Sequence, residues 1–200
     1  MPKTGFLLIV SGPSGAGKGT ICKKLIESNP KIKVSVSATT RMPRVGEVDG
    51  TNYFFLSKGQ FESMIDQDEF LEYARVYDNY YGTPQKYVIE NLKMGNDVLL
   101  EIDIAGALQI KKKFPEGIFI FILPPSMEEL KSRIVGRGTE SEADIERRFG
   151  CAIEEISHFN KYDYAVINDD LTRALADIDA IIKAEGCRVK RVYDEVKSRF

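Results

Sequence analysis

A single histidine, His158, stands in the 200-residue sequence. One imidazole cannot build a multi-histidine metal site, and it leaves a Ser-His-Asp triad resting on a residue far from any nucleophile motif. Cysteine is nearly as scarce: Cys22, Cys151 and Cys187 are widely spaced and form no C-x-x-C pair. An odd, scattered set excludes a disulfide framework and a cysteine zinc site, points to a reducing compartment and leaves the three thiols as packing residues. No apolar run approaches the ~18 residues that a spanning helix needs. The run 6–10 is also too short for a signal-peptide core. A cytoplasmic protein without a membrane partner is expected. Neither sign of charge dominates, since 28 Lys and Arg against 30 Asp and Glu leave a formal charge of −2. That balance argues against nucleic acid as a partner, and the basic stretch Arg188 to Arg191 reads as a solvated helix face. Repeats, low-complexity tracts and Pro/Gly/Ser linkers are missing too, so one folded unit is expected.

What is present is an α/β pattern. Apolar runs of strand length occur at 6–10, 97–102, 118–123 and 164–167, with a shorter one at 34–36. Helical patterns adjoin them at 17–28, 84–94, 105–113, 127–135, 142–159 and 171–184. Fully apolar short strands alternating with helices predict a five-stranded parallel sheet covered on both faces. Pro84 reads as a first helical position with Thr83 as its N-cap. Between 39 and 83 the texture changes to polar, glycine-rich turns and short aromatic strands, with Ser57 and Gln60 spaced as a capping box for a helix at 58–65. This reads as a small lobe inserted into a core made of 1–38, 84–135 and 149–200. The polar stretch 136–148 reads as a lid, a mobile loop running into a helix.

Directly after the first strand comes Gly12-Pro13-Ser14-Gly15-Ala16-Gly17-Lys18-Gly19-Thr20, which fits G-x-x-x-x-G-K and opens a helix. Strand, loop and helix together are the setting of the phosphate-binding loop of P-loop NTPases. Its glycines let backbone N–H groups converge on an anion, the helix N-terminus adds positive potential, and Lys18 reaches the β and γ phosphates. The bland reading is a glycine-rich turn with a solvent-facing lysine. Gly19 stands where the commoner pattern has Ser or Thr, and the hydroxyl comes one place later at Thr20. Magnesium, which readily keeps water, is therefore expected to be held through phosphates and water, with Thr20 and Asp103 nearest. Asp103 follows an apolar strand and faces the loop, unless it serves only as a helix N-cap.

The stretch Ser37 to Arg44 sets Arg41 and Arg44 three apart in a non-helical segment, followed by Tyr53. Two guanidiniums and a phenol converging on one point would bind a phosphate dianion, although a solvated loop with scattered arginines has the same spacing. At this point the chain resembles the guanylate kinase family. The motifs SGPSGAGKGT, SATTRMPRVGEVDGTNYFF, FLEYARVYDNYYGTP, LLEIDIAGA, GRGTESEADIERR and VINDD occur in the family's order from residue 11 to about 170.

The resemblance implies transfer of the γ-phosphoryl group of ATP to GMP, and to dGMP, with magnesium, by a monomer or homodimer. It assigns Arg41, Arg44, Tyr53 and Tyr81 to the GMP phosphate and Ser37, Glu72 and Thr83 to guanine, Thr83 standing where the family has serine. Guanine offers N1–H and an exocyclic amine on one edge, so the Glu72 carboxylate can accept two parallel hydrogen bonds that adenine cannot make. A site built on such a pair discriminates by roughly 10⁴-fold. Asp103 resembles the strand-end aspartate near magnesium and the acceptor, and Glu101 stands where some members carry aspartate; two apart on a strand, they face one side. Arg133, Arg137 and Arg148 resemble the lid arginines around the transferring group, and Asn168 resembles a contact to the adenine of ATP. Lys18, Arg41, Asp103, Arg137 and Arg148 form the implied catalytic set. Residues alone would make Glu72 a solvent-facing strand residue, Arg133 part of a solvated helix face and Asn168 a turn and cap. Domains of this type also occur as non-catalytic binding modules, and those are expected to have damaged phosphate loops.

Overall fold

In chain order the elements are β1 (Leu7–Ser11), α1 (Lys18–Ser28), β2 (Ile32–Val34), β3 (Ala38–Thr39), β4 (Phe54–Phe55), α2 (Lys58–Asp66), β5 (Phe70–Val76), β6 (Asn79–Pro84) and α3 (Gln85–Lys93). There follow β7 (Asp97–Glu101), α4 (Ile104–Lys113), β8 (Ile118–Leu123), α5 (Met127–Val135), α6 (Glu142–Ile156), β9 (Tyr164–Ile167), α7 (Leu171–Gly186) and α8 (Val189–Lys197). The structure, a computed structural model, describes residues 4–76, 78–135 and 142–200.

Five strands form a parallel sheet in the order β2-β7-β1-β8-β9. β1 is central, with Ile9 registered against Leu100 on one side and Phe119 on the other. Side chains alternate across a strand, and β1 shows why both faces need cover. Leu8 and Val10 pack with Ile21 and Leu25 of α1 and with Ala174 and Ile178 of α7. Leu7 and Ile9 pack with Val88 of α3 and with Ala107 and Ile110 of α4. The buried, uninterrupted strands predicted from the sequence are thus the centre of an α/β core.

A second sheet has the order β4-β3-β6-β5, with β5 and β6 an antiparallel hairpin. Its strands lie between Ala38 and Pro84, and it carries a small apolar centre of Ala38, Phe61 and Phe70. Phe61 stacks on Phe70 at 4.3 Å between ring centroids, which fixes α2 to the sheet. The capping box is present: Ser57 Oγ accepts from the Gln60 amide and Gln60 Oε1 from the Ser57 amide. Leu71 joins the core beneath α4, tying the two sheets together.

Several boundaries differ from the sequence reading. β2 occupies Ile32–Val34 rather than 34–36, because after the Ser35 amide bonds to the Leu99 carbonyl the chain leaves for the second sheet. Thr83 is not an N-cap: it lies within β6, its hydroxyl is committed elsewhere, and Pro84 holds the cap position of α3 with no side-chain cap. α6 stops at Ile156, and a 3₁₀ turn at Phe159–Lys161 follows. Of the cysteines only Cys22 packs inside; Cys151 and Cys187 are exposed, and all three are free thiols. Among the described residues no helix is long and apolar enough to cross a membrane.

Candidate active site

β1 delivers the chain into the phosphate loop at the carboxyl end of the central strand, where open α/β sheets place their ligands. Gly12 adopts φ +149°, and a Cβ there would lie 2.2 Å from the Ile122 carbonyl oxygen of β8. Gly17, at φ +91°, is the N-cap of α1, and a Cβ would meet Asn168 Nδ2 at 2.3 Å. Both positions require glycine, by backbone conformation and by space. Lys18 Nζ arches back to donate to the carbonyls of Gly12 at 2.6 Å and Pro13 at 3.0 Å, so the ammonium sits over the loop rather than in solvent.

Two of the predicted residues meet the loop from outside it, and a third reaches it through one of them. Asn168 Nδ2 donates to the Ala16 carbonyl at 2.8 Å, bracing the loop from the end of β9. Arg133 donates to the Asn168 carbonyl through Nη2 at 3.2 Å and to Glu129 through Nε at 2.8 Å. Arg148 of α6 donates to Ser14 Oγ, and Glu155 one face-repeat later accepts from the Ser14 amide at 3.2 Å. Thr20 is exposed on α1. Arg137 lies outside the described residues, as does most of the loop half of the expected lid.

Beside the loop opens a cleft of about 310 Å³ whose walls include Ser37, Tyr53, Glu72, Tyr81, Glu101 and Asp103. Glu72 is 7% exposed. Its Oε1 accepts from Thr83 Oγ1 at 2.7 Å, a bond that spans the β5–β6 hairpin. Burial pushes its carboxyl up to about 7, with the nearby Asp103 charge acting in the same sense and the Thr83 hydroxyl opposing. Asp103 and Glu101 face this one cleft, but Asp103 lies beyond the strand and caps α4, its Oδ1 accepting from the Gly106 amide at 2.7 Å. Cap and cleft wall are therefore the same side chain. Glu101 stands against the phosphate loop, 3.6 Å from where a Gly19 Cβ would be. Burial raises its carboxyl, while the Lys18 ammonium pulls the other way.

Arg41 forms a two-pronged pair with Glu47, Nη1 to Oε2 and Nη2 to Oε1, both 2.9 Å. The guanidinium lies 5.4 Å from the centroid of the Tyr53 ring, and Tyr53 meets Tyr81 edge-on at 6.1 Å. Glu47 is held down to about 2 by Arg41, and the Arg44 amide also donates to it at 2.7 Å. Arg44 is exposed beyond it. A guanidinium already paired in fork geometry to a carboxylate is arranged to take a phosphate in the same geometry.

The family model described as guanylate kinase matches residues 5–185. The chain belongs to the guanylate kinase family. The guanylate kinase of Caldanaerobacter subterraneus subsp. tengcongensis is 64% identical over 96% of this chain and 93% of its own length. That of Clostridioides difficile is 60% identical over 99% and 97%. The crystal structure of guanylate kinase from Anaplasma phagocytophilum superposes with a TM-score of 0.80 at 34% identity, covering 100% of this chain and 97% of that one. Within this guanylate kinase fold, three residues of the site went unnoticed in the sequence: Glu47, Gly106 and Glu155. Glu47 carried a faint signal in its spacing from two arginines. The other two carried none, since Gly106 approaches Glu72 and Glu155 approaches Ser14 only through the fold.

Proposed function

We propose that this chain, a nucleoside monophosphate kinase by family, transfers the γ-phosphoryl group of ATP to GMP or dGMP with ATP on the phosphate loop and the acceptor in the cleft beside it. The observation that carries the reading is Glu72: a buried carboxylate tethered by Thr83 in a cleft also lined by Glu101, which abuts Gly19 of the loop. A buried carboxylate with a spare oxygen suits the paired N–H groups of guanine and leaves adenine unsatisfied. Ser37 completes the base end. Arg41, Arg44, Tyr53 and Tyr81 take the acceptor phosphate, which displaces Glu47 from the Arg41 fork.

No general base is required. A phosphate monoester has its second pKa near ~6, so the attacking oxygen is already largely anionic at neutral pH. What opposes transfer is the approach of two anions. Lys18 and the lid arginines Arg133, Arg137 and Arg148 offset that repulsion around the transferring group. Asn168 supports the loop that holds the donor. Among the described residues no group of three or more acidic, cysteine or histidine side chains could hold a metal ion. The two hard carboxylates at the loop, Glu101 and Asp103, fit magnesium carried mainly by phosphates and water, with Thr20 the hydroxyl that follows the loop lysine. Bound there, magnesium would neutralise phosphate charge. The free thiols support a reducing compartment, hence the cytoplasm.

ADP production from ATP and magnesium, with GMP, dGMP, AMP, CMP, UMP and IMP offered separately, tests the reading. Turnover is expected with GMP and dGMP and not with AMP. Turnover with AMP or a pyrimidine nucleotide would remove Glu72 from the base site. Binding of GMP without turnover would instead make the chain a binding module.

A further inference from the structure

α6 touches the phosphate loop at Ser14 with two side chains. Arg148 donates to the Ser14 hydroxyl, and Glu155 accepts from the Ser14 amide at 3.2 Å. Seven positions apart on a helix, they project from one face, two turns apart. Phosphate-loop amides are anion donors by construction, so a carboxylate oxygen on one of them stands where an anionic ligand oxygen would be drawn. Resting on the reading that the triphosphate of ATP seats on this loop, we propose that Glu155 is a positioning residue that competes with the nucleotide. Its carboxylate latches α6 to Ser14 in the nucleotide-free chain and is expelled as the triphosphate arrives.

Charge sets the direction of the exchange. A triphosphate carries several negative charges into a site where the carboxylate carries one, and the two repel at contact distance. The latch is also easily released, because 3.2 Å is long for a bond to a charged acceptor. Glu155 has somewhere to go. It already borders a cavity of about 460 Å³ between the start of α4 and α6, together with Leu108, Cys151, Glu154 and His158. Once Glu155 lets go, Arg148 on the same helix face can turn from the Ser14 hydroxyl to the incoming phosphates. ATP binding and movement of α6 are then one event.

Calorimetric titration of the full chain with magnesium and the β,γ-imido analogue of ATP tests this on three proteins: unmodified, Glu155→Gln and Glu155→Asp. Gln removes the charge; Asp keeps it but withdraws it by one methylene from the Ser14 amide. Both variants are expected to bind the analogue about 3- to 10-fold more tightly, the scale of one ordinary intramolecular hydrogen bond, as suits a contact this long. A merely structural brace would give weaker binding on removal. Equal or weaker binding by folded Glu155→Gln overturns the proposal. So does tightening by Gln with none by Asp, which would assign the effect to charge at a distance rather than to the contact. Should either variant fail to fold, a crystal structure of the unmodified chain with the analogue decides: separation of Glu155 from the Ser14 amide supports the latch, and an intact hydrogen bond overturns it. Lys18→Ala serves as the separate control. If it binds the analogue as tightly as the unmodified chain, the loop is not the triphosphate seat, and the underlying reading fails regardless of Glu155.

Discussion

In the proposed base site Glu72 has to be ionised to accept two N–H groups from guanine, yet burial pushes its carboxyl up to about 7. GMP affinity should therefore fall as pH drops below about 7, tenfold per unit at the limit, and level off above it. Affinity measured by titration from pH 5.5 to 8.5 reads this directly. Glu72→Gln should bind GMP weakly at every pH and lose this inflection, keeping only that of the GMP phosphate itself near ~6. The same shift bears on stability with a definite sign. The folded chain holds its proton more tightly than the ordinary value of 4.5 implies, so this group's contribution is greatest below that value and declines as pH rises through about 7. Phosphate-loop residues, the two arginines and Tyr53 were suggested by local spacing, whereas Tyr81 came only with the resemblance to the family. Glu155 could not, since its partner Ser14 lies 141 positions away.

Among the elements, α4 has the most crowded beginning. Gly106 donates its amide to Asp103 at 2.7 Å, and a Cβ there would come within 2.8 Å of Glu72 Oε2. In an ordinary helix, Gly to Ala gains about 1 kcal/mol. Here the added methyl would displace a carboxylate that Thr83 pins from the other side. Gly106→Ala is therefore expected to leave the melting temperature within a few degrees while raising the KM for GMP about tenfold, a loss on the scale of one displaced charged hydrogen bond. The KM for ATP should hold. Steady-state kinetics with each substrate varied, alongside a thermal melt, separates these effects. Element by element, the core was readable because β1, β7, β8 and β9 are continuous apolar runs whose period and length are unambiguous. β3 has two residues, and β6 contains Gly82 and ends on Pro84, so neither carries a strand signature of its own. β6 exists through pairing with β5, and β3 through pairing with β6 and β4, a tertiary cause that no local window contains.

Across the whole molecule, the phosphate loop belongs to the parallel sheet and the cleft beside it lies between the two sheets, so the attachment of the second sheet decides what can move. The second sheet is held to α4 through Leu71 in the core and through Gln109, which exchanges hydrogen bonds with the Tyr73 backbone. Chain connections reach it only after β2 and before α3. At its junction with α3, a cleft of about 630 Å³ between Phe54, Leu56 and Met64 on one side and Tyr87 and Ile89 on the other leaves space for a pivot. Water is the competing acceptor for a γ-phosphoryl group, and an open cleft between two anion sites would admit it. Residues 39–83 and the lid are therefore expected to close over the two nucleotides before transfer. Small-angle scattering should show a smaller radius of gyration with GMP and the imido analogue together than with neither. GMP alone should move the second sheet and the analogue alone should move α6, so each should give part of the change. If scattering is unaltered with both nucleotides bound, water is kept out without closure, and the cleft as it stands must already exclude it.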